Sequence, residues 1–321
     1  MRKKRLYKIG ITSGDPFGIG PEIILKCLNS FKSRNKAFEY ILYGDSGYME
    51  NLSQRFKLKI PDNLVIKNVY KVKKIPSTHP SKKGGEYAFN SLISAVEDLN
   101  KGNISALITA PLSKKGVELN GIEFKGHTEF LAKKAGLKES DVLMSFFSSN
   151  IKIAILTNHI PLKKVYKFIN KEFILKKVNI LIKWHEKIFI STPKVAFLSF
   201  NPHKGENGEE DRIIEGIIKR FNFLEGPFSS DSFFARGLHR NFDFVFALYH
   251  DQGLIPFKII SKGKGCNVTL GLPFLRVSPD HGPAYNIAGK GIADISSINF
   301  CIKFISRILK LKTKGGTFPG S

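Results

Sequence analysis

The stretch YKIGITSGDPFGIGPEIILKCLNSF, Tyr7–Phe31, sets the fold class. It opens as a short apolar strand, passes through a loop with glycines at 14, 18 and 20, and continues as a helical pattern with Pro21 in its first turn. The same rhythm recurs in EYILYG before YMENLSQRF, and in SALITAP after EYAFNSLISAVEDLN. Further strands are expected in VLMSFF, IKIAILT, KVAFLSF and DFVFALY. Several are apolar throughout, as strands covered on both faces are. The expectation is an α/β protein with a sheet between two layers of helices.

The chain has 321 residues, 42% of them hydrophobic, enough to bury a sizeable core. No apolar run approaches the roughly 20 residues that cross a bilayer. The basic start MRKKRLYKIGIT runs directly into a strand without the apolar core of a secretory signal, so a cytoplasmic location is expected. Cys27, Cys266 and Cys301 are odd in number and widely spaced, indicating reduced structural thiols rather than disulfides or a thiolate zinc site. A net charge of +24 raises the question of a nucleic-acid partner. The lysines are scattered over polar helix faces and no recognition motif accompanies them, so neither nucleic acid nor membrane is an expected partner. No repeat or linker marks a domain boundary, and KTKGGTFPGS at about 312–321 reads as a flexible tail.

Three of the eight histidines share one setting: His159 ends IAILTNH, His203 ends VAFLSFNPH, and His250 ends FVFALYH. Each stands just past a buried strand, where open α/β sheets gather their ligands. A hydrogen-bonded loop histidine explains any one of them, whereas three in the same place favour a shared divalent ion such as zinc, cobalt or manganese. The glycine loop lacks G-x-G-x-x-G, and no Walker A pattern occurs, so a tight structural turn explains it as well as a phosphate site does. FKGHTEFLA puts His127 and Thr128 at a helix start, consistent with anion binding or with capping alone. VTLGLPFLRVSPDHG carries Arg276 within an apolar segment, with Asn267 just before it; the guanidinium would meet a substrate anion or a structural carboxylate.

Taken in order, SGDPFGIGPE, ITAPLSK, GHTEFLA, TNHIPL, NPHKGENG, YHDQGLIPFK and VTLGLPFLRVSPDHG resemble the 4-hydroxythreonine-4-phosphate dehydrogenase family of vitamin B6 biosynthesis, over nearly the whole chain. The resemblance implies a two-subdomain fold like that of isocitrate and isopropylmalate dehydrogenases, a single catalytic unit with a mostly parallel sheet and the site between subdomains. Relatives of that fold bind NAD without the usual fingerprint. By the same resemblance, DHGPAYNIAGKGIAD contributes His281 and Gly282 to an NAD or NADP site. His159, His203 and His250 become ligands of one divalent ion (Zn, Co, Mn or Mg), with His250 reaching the partner's site in a homodimer. His127, Thr128, Lys258, Asn267 and Arg276 match substrate-binding positions for a phosphorylated small molecule.

The implied reaction oxidises the 3-hydroxyl of 4-phosphohydroxy-L-threonine to a β-keto acid, which loses its carboxylate to give 3-amino-2-oxopropyl phosphate. Lys258 is a candidate acid/base or charge-stabilising group, brought to the substrate by the turn after His250. Asp251 and Asp231 are candidates to orient an imidazole. Three departures from the family pattern stand out: a short NPHKGENGEED loop, Asn158 before His159 in place of Thr, and Pro283 where a hydroxyl residue is common. Some relatives with these motifs act on phosphorylated threonate or erythronate, or on cis-dihydrodiols. An acyl-phosphate transferase and a basic nucleic-acid-binding protein are the alternatives from other classes.

Overall fold

The computed structural model describes residues 6–30, 37–72, 79–189, 191–202 and 208–312. His203 and the tail beyond residue 312 lie outside the described residues. The strands are β1 (Tyr7–Thr12), β2 (Phe38–Gly44), β3 (Leu64–Asn68), β4 (Ala106–Thr109), β5 (Leu143–Ser148), β6 (Lys152–Ile155), β7 (Val195–Leu198), β8 (Leu224–Phe228), β9 (Phe244–Ala247), β10 (Gly265–Leu270) and β11 (Leu275–Pro279). They form one sheet in the order β3-β2-β1-β4-β11-β10-β5-β6-β9-β7-β8. Pairing is parallel on both wings, and antiparallel only where β10 and β5 join them. The mixed α/β class with a mostly parallel sheet is therefore as expected. The antiparallel centre was not foreseen, because VTLGLPFLRV reads as one apolar run and hides the two-strand hairpin β10–β11.

The helices are α1 (Gly20–Ser30), α2 (Ser46–Phe56), α3 (Lys82–Asn100), α4 (Lys114–Glu118), α5 (His127–Lys134), α6 (Lys171–Phe189), α7 (Glu209–Ile218), α8 (Ser230–Ala235), α9 (His250–Ser261) and α10 (Ser296–Lys312). Helix α6 shows why these segments are helical: Ile174, Val178, Leu181, Trp184 and Ile188 recur at helical spacing and form its buried stripe. With residues from α1, α2, α7 and α10 they make a single apolar layer along one face of the sheet.

On the other face the apolar packing is split. One cluster gathers Leu92 and Val96 of α3, Val117 of α4 and Leu131 of α5. Another gathers Leu254 and Phe257 of α9 with Phe233 of α8. Alternation along the central strands explains what lies between them. Ala106, Ile108, Val268, Leu270, Leu275 and Val277 belong to the continuous layer. Thr109, Asn267, Thr269 and Arg276 consequently face the split side, where they form a polar floor. Among the described residues no helix is long and apolar enough to cross a membrane. Cys27, Cys266 and Cys301 are free and buried.

Candidate active site

Arg276 occupies the floor at a position fixed by register: it lies opposite Leu107 of β4, and its strand pairs antiparallel with β10. Its side chain is 2% exposed. Nε and Nη2 donate to Thr109 Oγ1 at 3.1 and 2.6 Å, while Nη1 donates to Thr269 Oγ1 at 2.9 Å and Asn267 Oδ1 at 3.3 Å. Every one of these acceptors is neutral. Among the described residues no carboxylate comes within ion-pair distance of Arg276. Burial pulls its pKa down to about 10, which leaves the group cationic at neutral pH. The structural ion pair that the sequence left open is thus not what holds this guanidinium. A buried cation held only by neutral oxygens is poised for an external anion.

Thr128 does not cap α5. The N-cap is Gly126, at φ 153°, with no side-chain capping bond, and Thr128 Oγ1 instead faces Thr269 Oγ1 at 3.5 Å. His127 packs edge-on against Phe124, and its Nε2 is shut off from solvent without a hydrogen-bond partner. Burial first, then the charges of Arg276 and Lys114, holds its pKa well below the usual 6.5, so the ring is neutral. Asn267, Arg276, Thr128 and His127 are therefore brought together as the motifs implied. Thr109, Thr269 and Lys114 were missed: threonine at a strand end carries no distinguishing signal, and Lys114 sits in ITAPLSK among many lysines.

The imidazoles of His159 and His250 lie 5.4 Å apart, tilted by 46°, because β6 and β9 are parallel neighbours and each histidine follows its strand. An ion held tetrahedrally by two imidazole nitrogens, each about 2 Å away, spaces the ring centres by about 5 Å, so the pair fits a shared divalent ion. Nδ1 of His250 is engaged by Asp251 Oδ1 at 2.7 Å, which leaves Nε2 to face a ligand. His159 has its pKa lowered by burial, then by Lys114 and His250, with Glu129 opposing. Among the described residues no three metal-binding side chains converge. The segment that leads to His203 leaves β7, the strand next to β9.

His250 stands beside His159 of the same chain. One expectation needs correction, the turn expected after β9. His250 begins α9 rather than a turn; Lys258, eight residues on, lies about 12 Å along the helix axis and is exposed. Asp231 is exposed and accepts from the Ser232 amide at 2.6 Å, and among the described residues no imidazole is hydrogen-bonded to it.

His281 and Gly282 follow β11 in a segment strapped to the β1–α1 loop. The Ile19 amide donates to Pro283 O, Tyr285 Oη donates to Asp15 Oδ2 at 2.7 Å, and Glu22 accepts from the amides of Gly289 and Ala293. Gly18 lies so close to Pro283 that a Cβ would stand 2.8 Å from its atoms, which accounts for one loop glycine without a phosphate. Asp15 is fully buried; burial raises its pKa against the hydrogen bonds from Tyr285 and Phe17. His281 Nε2 is enclosed and unpartnered, an orphan that a dinucleotide could satisfy.

The sequence profile of pyridoxal phosphate biosynthetic protein PdxA matches residues 35–305. A 4-hydroxythreonine-4-phosphate dehydrogenase from Aquifex aeolicus is 40% identical over 94% of this chain and 98% of its own length. A protein from Oceanobacillus iheyensis, whose name assigns it to D-threonate 4-phosphate, is 34% identical over 93% of this chain and 96% of its own. The crystal structure of 4-hydroxythreonine-4-phosphate dehydrogenase from Klebsiella pneumoniae superposes with a TM-score of 0.79 at 27% identity, covering 94% of this chain and 99% of that one. With the profile spanning most of the chain and a relative this similar from end to end, the chain belongs to the PdxA family of pyridoxal phosphate biosynthetic proteins.

Proposed function

We propose that this chain is an NAD-linked, divalent-metal-dependent 4-hydroxythreonine-4-phosphate dehydrogenase, with its site in the cleft between two subdomains. The split apolar packing on the site face supports the two-subdomain reading. The observation that carries the function is Arg276, a buried cation whose hydrogen-bond partners are all neutral, with Glu129 acting on both it and His159. When bound, NAD accepts the hydride from the carbon bearing the 3-hydroxyl, and a divalent ion supplies Lewis acidity toward that oxygen.

The protein's own residues do the rest. Arg276, Thr128 and His127 bind and orient the phosphorylated substrate. His159 and His250, with His203, would hold the ion, and Asp251 fixes the His250 ring. His281 and Gly282 contact the dinucleotide. Oxidation releases the hydroxyl proton and leaves a β-keto acid, whose carboxylate departs as carbon dioxide while the carbon that bore it takes up a proton, giving 3-amino-2-oxopropyl phosphate. Lys258 serves the site of a second copy in a homodimer. It shares the exposed side of α9 with Ile255 and Ile259, which are 58% and 68% exposed, an apolar pair suited to burial between subunits.

The test is NADH formation from 4-phosphohydroxy-L-threonine by enzyme stripped with a chelator and then resupplied with zinc, cobalt, manganese or magnesium. Activity lost and regained supports the reading; full turnover in metal-free enzyme contradicts the metal's part in it. The Oceanobacillus relative favours one second reading, oxidation of D-threonate 4-phosphate at the same site.

A further inference from the structure

We propose that Lys114 is a second cationic arm of the substrate site and binds the phosphate group, a role that rests on the functional reading above. The phosphorylated substrate brings two anions, a carboxylate and a phosphate dianion, whereas the floor built by one chain supplies the single cation Arg276. His127 is held neutral and supplies no second charge. Lys114 does. The ammonium lies at the mouth of α5, with Nζ 3.5 Å and Cε 3.4 Å from where a Cβ on Gly126 would stand. From there its charge reaches both His127 and His159 and lowers the pKa of each. Among the described residues no carboxylate comes within ion-pair distance of Lys114. Glu129 folds back toward the same glycine without forming that pair.

Three further features point to phosphate here. Helix α5 has no side-chain capping bond, and Lys114 stands beside its N-cap glycine. His127 Nε2 is enclosed and unpartnered at the same helix start. The Thr128 hydroxyl faces the floor beside Thr269. A cation, a helix start, a hydroxyl and an orphan ring nitrogen suit a dianion with several acceptor oxygens better than a carboxylate.

The experiment compares wild type with Lys114→Met and Lys114→Arg. Calorimetric titration with inorganic phosphate reads binding directly, and steady-state kinetics read the Michaelis constants for 4-phosphohydroxythreonine and NAD. Lys114→Met should weaken phosphate binding and raise the substrate constant by roughly ten- to a hundredfold, the loss of one charge-assisted hydrogen bond. The NAD constant and the melting temperature should hold, since Lys114 is exposed, and Lys114→Arg should recover most of the loss. Unchanged phosphate binding in Lys114→Met overturns the proposal, as does a raised substrate constant with phosphate binding intact. If wild type fails to oxidise the substrate at all, the functional reading fails; the phosphate titration still judges Lys114 on its own.

Discussion

Replacing Arg276 with Met separates a ligand-binding guanidinium from a structural one. Arg has five N–H donors. Four contacts to Thr109, Thr269 and Asn267 leave one N–H on Nη2 for a ligand, and the 3.3 Å contact to Asn267 is the easiest to exchange. One charge-assisted bond to a substrate anion is worth about 1.5–3 kcal/mol, so kcat/KM should fall by roughly tenfold to more than a hundredfold. That range is a floor, because the buried charge also attracts the anion without touching it. Stability should move the other way or not at all: a cation that is 2% exposed and lacks a carboxylate partner carries a desolvation cost that four bonds to neutral oxygens offset only in part, and Met removes it. Steady-state assays varying substrate and NAD separately, together with thermal melting, give both readouts. A melting temperature several degrees lower with an unchanged substrate constant would show that Arg276 is a strut and refute the reasoning.

Asp251→Asn should weaken metal binding by about 10- to 100-fold while leaving the fold intact, because it loosens the orientation of His250; equal zinc affinity in a competition titration contradicts this. Mixing Lys258→Ala with His159→Ala subunits should restore about a quarter of wild-type activity if Lys258 serves the partner's site, since only a mixed dimer then contains an intact site. No recovery, with mixed dimers demonstrated, places Lys258 outside the partner's site. The Asp15 carboxyl has its pKa raised by burial above the ordinary 3.8, so its contribution to stability is complete below 3.8 and is lost as pH rises through the folded value. The melting temperature of wild type relative to Asp15→Asn should therefore decline as pH rises from 3.8 through the folded pKa; a pH-independent difference would contradict it.

Local pattern makes most of each wing legible: β1, β2, β4, β6, β7 and β9 are short apolar runs followed by loop residues, whereas the edge strands β3 and β8 are not among the strands expected from the sequence. The hairpin β10–β11 was not legible either, since the turn at Gly271–Phe274 is embedded in apolar sequence and its antiparallel pairing is a tertiary choice. The site followed the same division. His159 and His250 could be paired from their shared position after strands, and the structure sets them side by side. The position of Lys258 could not be read, because whether His250 opens a turn or a helix depends on packing against β6 and β9, and the helix sets Lys258 about 12 Å along its axis from His250. The roles of Thr109 and Lys114 depend on register and on an approach between distant segments, neither of which sequence spacing records.

The most direct test of the proposed reaction is a side-by-side measurement of kcat/KM for NADH formation from 4-phosphohydroxy-L-threonine and from D-threonate 4-phosphate, by metal-loaded enzyme. The proposed function predicts the higher value for 4-phosphohydroxy-L-threonine, with 3-amino-2-oxopropyl phosphate and carbon dioxide formed in step with NADH. A higher value for D-threonate 4-phosphate, or NADH formed from neither, would contradict it.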